Sequence, residues 1–141
     1  MCQIIYWCHK LHIPCMLENP LTSMMWLHPR LFAQLNLASC QVQTFDQCQY
    51  GAPWKKGTKI ASWNCGHSAN LDRRCSGKKG ICSNGRQHIV LSGASKDHGC
   101  LWTSLAQVYP KKLGSHFANS LTSAAVDRKC LKVVAACSAM S

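Results

Sequence analysis

Residues 41–63 read QVQTFDQCQYGAPWKKGTKIASW, and the fold turns on how this stretch divides. Residues 41–46 alternate polar and apolar, as a half-buried strand does, and residues 58–63 repeat the pattern. Between them Gly51, Pro53 and Gly57 break any regular structure, so the segment predicts two strands joined by a loop, a long β-hairpin. Upstream, Ile4, Ile5, Cys8 and Leu11 recur at helical spacing over residues 2–12, and Pro14 stops the helix. Residues 14–18 form a short apolar run, read as a buried parallel strand that leads into Glu18 and ends at Pro20. Thr22 and Ser23 are positioned to cap a short turn before Trp26. From Pro29, a helix-starting residue, Leu31, Phe32, Leu35 and Leu37 fit a second amphipathic helix. The order helix–strand–helix–strand–strand predicts an α/β fold: part of a doubly wound sheet that ends in an antiparallel hairpin.

Downstream the composition changes. Residues 64–100 are rich in Gly, Ser, Cys, His and Lys, with one strand candidate at 88–93, HIVLSG. From Ser104 onward apolar spacing predicts helix, interrupted at Tyr109-Pro110 and reaching Cys137. At 141 residues the chain suits a single domain: a sheet core over 1–63, a Cys/His-rich basic insertion over 64–100 and a helical segment over 101–141.

The net charge of +11 is unevenly placed. Residues 1–50 are neutral, whereas the span from Lys55 to Arg86 holds eight bases and one acid, Asp72. Such a block favours a polyanionic partner, nucleic acid, through counterion release. Its candidate contacts are Lys55, Lys56, Lys59, Arg73, Arg74, Lys78, Lys79 and Arg86, with Trp54 among them able to stack on a base. The N-terminus has no basic region before its apolar stretch, and no apolar run is long enough to cross a bilayer. The expectation is an intracellular protein of cytoplasm or nucleus, without signal peptide or membrane span, whose eleven cysteines are mostly free thiols.

Two motifs bear on chemistry. Glu18-Asn19-Pro20, followed by Tyr50-Gly51-Ala52-Pro53 with Lys55, Lys56 and Lys59, resembles the ENV motif and the later basic loop of cytosine-C5 DNA methyltransferases. A closer resemblance is to a diverged group of methyltransferase-like proteins associated with mobile or viral elements. Residues 44–51 (TFDQCQYG), Cys75, His88 and Tyr109-Pro110 match that group, and the resemblance covers roughly residues 14–113. It implies a Rossmann-like methyltransferase sheet. It also implies that Glu18 corresponds to the glutamate that hydrogen-bonds and protonates a flipped cytosine. The family's Gly-rich cofactor loop and its separate Pro-Cys nucleophile loop have no counterpart. Cys15 lies three residues before Glu18 on the same strand and is read as a core residue. The resemblance therefore implies a truncated or degenerate methyltransferase-like protein, catalytically inactive alone, with Glu18 vestigial. It would bind S-adenosylmethionine only as a half-enzyme completed by a cofactor-binding chain, and a partner chain would cover its open sheet edge.

The second motif is a set of metal-ligand residue types: Cys75, Cys82 and His88, with Cys65 or Cys48 as fourth ligand. Thiolates and an imidazole in tetrahedral array suit zinc, which tolerates long loops between ligands. The alternative function is thus a small zinc-stapled nucleic-acid-binding module.

Overall fold

The computed structural model describes residues 1–66 and 71–127. Four α-helices and five strands follow in the order α1 (Cys2–Lys10), β1 (Cys15–Pro20), α2 (Pro29–Leu35), β2 (Cys40–Asp46), β3 (Gly57–Trp63), β4 (Ala94–Ser95), β5 (Cys100–Leu101), α3 (Trp102–Leu105) and α4 (Lys111–Asp127). The chain is α/β, with an antiparallel sheet.

The hairpin forms as its alternation predicts. β2 pairs antiparallel with β3, from Cys40 opposite Trp63 to Asp46 opposite Gly57. A 3-10 turn, Gln47–Tyr50, begins the connection, and Gly51 at φ +101° closes it in the left-handed region that glycine enters without strain. β1 corrects the expectation of a parallel strand. It pairs with β3 and runs antiparallel to it, Cys15 opposite Trp63 and Pro20 opposite Thr58. The strand order is β1-β3-β2, so β1 and β2 are parallel to each other, with the reversed β3 between them.

Because side chains alternate along a strand, central β3 supplies both faces of the sheet. Ala61 and Trp63 turn to one face, where they pack with Ile5 of α1, Trp26 and Leu31 of α2. Ile60 turns to the other, packed with Phe45, Tyr50, Leu71 and Leu113 of α4. Ser23 accepts the Met25 N–H at 3.3 Å and so caps a 3-10 turn, Met24–Leu27. That turn buries Trp26, whose indole N–H donates to the Pro20 carbonyl at 2.8 Å. Pro20 is the last residue of β1, as its missing N–H requires.

α1 buries less than its periodicity suggests: Ile5 is buried and Cys8 half-buried, but Ile4 and Leu11 are exposed. Residues 88–93 are not a strand. The Ile89 N–H bonds instead to the Pro53 carbonyl at 2.9 Å, drawing that segment onto the hairpin loop. The short pair β4–β5 follows it. The Tyr109-Pro110 interruption separates α3 from α4, and the stretch from residue 128 to Cys137 lies outside the described residues.

Candidate metal centre

Four side chains converge at the loop end of the hairpin. The ligand atoms of Cys48, Cys75, Cys82 and His88 all lie within 4.8 Å of one another. Each is placed by its own device. Cys48 sits in the 3-10 turn that leaves β2. Cys75 is pinned to the end of β2 by Asp46, a carboxylate only 1% exposed, which accepts the Cys75 N–H at 2.8 Å and pairs with Arg74 at 3.3 Å. Asp72 fastens the same segment one step earlier by accepting the Thr44 N–H at 2.6 Å. Lys55 completes the attachment, donating to the Cys75 carbonyl at 3.0 Å.

Cys82 rides on a small hairpin closed by a bridge between Ile81 and Gln87. The Cys82 N–H bonds to the Arg86 carbonyl at 2.6 Å, and the Gly85 N–H returns to the Cys82 carbonyl at 2.8 Å. Gly77 lies against this hairpin so closely that a Cβ there would strike the Ile81 carbonyl oxygen and come within 2.7 Å of the Cys82 carbonyl carbon and the Ser83 nitrogen. The His88 N–H bonds to the Gly80 carbonyl at 2.7 Å.

The spacing fits a tetrahedral ion. With Zn–S of about 2.3 Å and Zn–N of about 2.0 Å, the edges of a tetrahedron are about 3.8 Å for S–S and about 3.5 Å for S–N. Cys75 Sγ lies 3.8 Å from Cys82 Sγ and 3.8 Å from His88 Nε2. The thiols are too far apart for a disulfide, whose sulfurs lie about 2.05 Å apart. All three cysteines are buried, and His88 is half-buried.

Outer partners stabilise sulfur in its anionic form. The Ser83 N–H and hydroxyl reach Cys75 Sγ at 3.4 and 3.7 Å, and the Gln49 amide reaches Cys48 Sγ at 3.5 Å and Cys82 Sγ at 3.8 Å. The thiols respond in opposite directions. Burial pushes the Cys75 thiol up, but hydrogen bonds from the Ser83 and Gly77 backbone, the Ser83 hydroxyl and Cys82 outweigh it, and it falls to about 6. Burial dominates at Cys48, with Cys75 and Cys82 adding to it against Gln49, and the thiol rises to about 12. A Cys75 thiol that ionises readily beside a Cys48 thiol that resists it is an arrangement that a cation completes.

Cys65 is corrected as a ligand. Its thiol contacts the Trp63 and Cys15 carbonyls at 3.3 and 3.6 Å, beyond the far end of β3. The antiparallel register puts Cys48 at the opposite end of the sheet, six residue steps away, or about 20 Å at roughly 3.4 Å per step. Cys48, the alternative fourth ligand, occupies the position. His67 lies outside the described residues.

The basic residues divide into two groups. Lys55 is held at the Cys75 carbonyl, Lys56 donates to the Ala106 carbonyl at 3.0 Å, and Lys59 lies 5.1 Å from the centre of the Trp26 ring. Arg73 covers the Tyr50 ring, and Arg74 pairs with Asp46. Lys78, Lys79 and Arg86 are exposed on the Cys82 hairpin and its preceding turn. Trp54 is half-buried and donates its indole N–H to Gln47 at 3.2 Å, which ties the loop together.

Glu18 is engaged from an unforeseen direction. The Tyr109 hydroxyl donates to Glu18 Oε2, while Oε1 is buried without a hydrogen-bond partner among the described residues. Burial, and then the Glu18 carboxylate, push the Tyr109 hydroxyl above its ordinary range. Cys15 is a half-buried strand residue whose thiol rises to about 12, first through burial and then through Cys8, Cys65 and Cys40, so it is no activated nucleophile. A cleft of about 740 Å³ lies elsewhere, between Met1–Gln3 and the Met24–Arg30 region. No helix among the described residues is long and apolar enough to cross a membrane. Among family models, curated proteins and solved structures, none matches this chain.

Proposed function

We propose that this chain is a zinc-stapled nucleic-acid-binding protein built on an α/β sheet. The observation that carries it is the convergence of Cys48, Cys75, Cys82 and His88 within 4.8 Å of one another, with Cys75 Sγ close to the tetrahedral edge distance, at 3.8 Å, from Cys82 and His88. Three soft thiolates and one imidazole favour zinc among the common divalent ions. All four positions are filled by side chains, leaving no open site for water, so the metal is structural rather than catalytic. It would close the 72–88 segment and fix the cations that this segment displays. Purified protein is expected to hold one zinc per chain and to lose order at 72–88 on chelation, with loss of oligonucleotide binding. Folded, metal-free protein that is indifferent to chelator refutes the reading.

A second reading, a methyltransferase-like ancestry, has its own support. β1 and β2 run parallel with α2 between them in sequence, and the reversed β3 is inserted between them in the sheet. This is the arrangement expected where a doubly wound sheet ends in an antiparallel pair. The outer edge of β1 has no strand partner among the described residues, and a cofactor-binding chain is the partner this reading would add there. S-adenosylmethionine would enter only with that chain. Methyl transfer by such a mixture, lost in Glu18→Gln, would favour the half-enzyme; absence of transfer leaves a degenerate, inactive domain.

A further inference from the structure

Eight cations lie between Lys55 and Arg86; five of them make contacts within the fold, although Lys55, Arg73 and Arg74 are also exposed. Lys55 and Lys56 are tied to carbonyls, Lys59 and Arg73 lie on aromatic rings, and Arg74 is paired with Asp46. Lys78, Lys79 and Arg86 are exposed and have no side-chain partner among the described residues. All three belong to the loop between Cys75 and His88. Lys78 and Lys79 sit in a tight turn closed by the Ile81 N–H on the Lys78 carbonyl at 3.0 Å, with Lys79 at φ +51° and Gly80 at φ +79°. Positive φ at both central residues is the signature of a type I′ turn, which puts Lys79 at its tip and Lys78 at its first corner. Arg86 is fixed to the same unit through its carbonyl on the Cys82 N–H.

We propose that this metal-held loop is a phosphodiester clamp whose contacts come from Lys78, Lys79 and Arg86, and that it reads backbone charge rather than base sequence. The proposal rests on the nucleic-acid reading above and narrows it. Residues 71–88 contain no Phe, Trp or Tyr, so the loop offers no platform on which an unpaired base could stack. The loop contains no helix or extended ribbon to enter a major groove. Phosphate contact is sequence-independent. Its strength is set by the number of cations that reach a phosphate, and the clamp assigns that number as three, the cations without an internal partner among the described residues.

The count gives a measurable slope. Three contacts predict log K falling against log salt with a slope of about −2.7 on duplex DNA and about −2.1 on a single strand, whereas eight predict about −7 on duplex. Raising salt from about 50 to about 200 mM is then expected to weaken binding roughly 40-fold on duplex and roughly 20-fold on a single strand. The test is fluorescence anisotropy of the zinc-loaded full chain with a labelled single strand, its duplex and scrambled versions of each, zinc content being measured alongside. The expected result is a slope between about −2 and −3, scrambled sequences bound within about 2-fold, and a slope near zero in the variant K78A/K79A/R86A. N84A/Q87A, which removes the loop's exposed amides, should bind unchanged. A slope steeper than about −5, a more than 10-fold sequence preference, or an unaltered slope in the triple variant overturns the clamp while leaving nucleic-acid binding standing. Zinc-loaded protein that binds neither form ends the nucleic-acid reading itself.

Discussion

Replacing Asp46 by alanine removes the group that joins the metal loop to the sheet. Asp46 is 1% exposed and accepts the Cys75 N–H at 2.8 Å. A hydrogen bond to a charged acceptor contributes about 1.5–3 kcal/mol, and its loss here strands a buried N–H. The Arg74 pair adds less, under about 1 kcal/mol, because the Arg74 side chain is 47% exposed and water screens it. The total is about 3 kcal/mol, a large fraction of the 5–15 kcal/mol that typically separates folded from unfolded chains. Asp46 sits between the sheet and Cys75, so much of this cost falls on ordering the metal loop. About 3 kcal/mol corresponds to roughly a 100-fold change in an equilibrium constant, and outer-sphere residues commonly alter metal affinity by about 10–100-fold. Competition with a chromophoric chelator is therefore expected to show zinc affinity reduced about 10–100-fold in Asp46→Ala. Affinity within about 3-fold of the parent, in a variant still folded by circular dichroism, would refute the assignment of Asp46 as the anchor.

Three further outcomes follow from the same geometry. Gly77→Ala should displace the Cys82 hairpin, since the new Cβ has no space against Ile81, Cys82 and Ser83; a cobalt-substituted sample should then lose its tetrahedral absorption. Tyr109→Phe removes the only donor to Glu18 Oε2 among the described residues and is expected to lower stability by about 1–2 kcal/mol, read as a lower urea midpoint. The metal-free protein should be most stable near pH 9. Cys75 has a folded value of about 6 against 9.0, so its stabilisation is present above pH 9 and is lost as pH falls toward 6. Cys48 and Cys15, at about 12, and Cys40, at about 11, act oppositely: their thiols stay protonated in the fold, so stability declines as pH rises beyond 9. Thermal melts across pH 6–11 with chelator present test this, and a monotonic profile would contradict it.

The hairpin was legible because its signal is local: alternation in residues 41–46 and 58–63, and a Gly/Pro-broken loop between them. The direction in which β1 pairs was not, because a short apolar strand carries no mark of its neighbour's orientation. That neighbour, β3, lies some forty residues downstream. Three of the four metal ligands were legible by type. Choosing Cys48 over Cys65 needed the antiparallel register, which sends residues after β2 and after β3 to opposite ends of the sheet. The strand candidate at 88–93 failed because the His88 and Ile89 N–H groups are taken by the Gly80 and Pro53 carbonyls rather than by a neighbouring strand. Asp46 and Tyr109 became visible as structural partners only in three dimensions, since their contacts bridge 29 and 91 residues of chain. The basic block looked like a broad footprint in sequence, but internal hydrogen bonds, rings and one acid reduce its free part to a single loop.

The most direct measurement is zinc content per folded chain, by mass spectrometry, in Cys48→Ser and Cys65→Ser side by side. Cys65 lies at the far end of the sheet, so Cys65→Ser should retain one zinc per chain, and Cys48→Ser should lose it or bind it far more weakly. Equal zinc in both variants, or loss in Cys65→Ser alone, would contradict the metal centre described above.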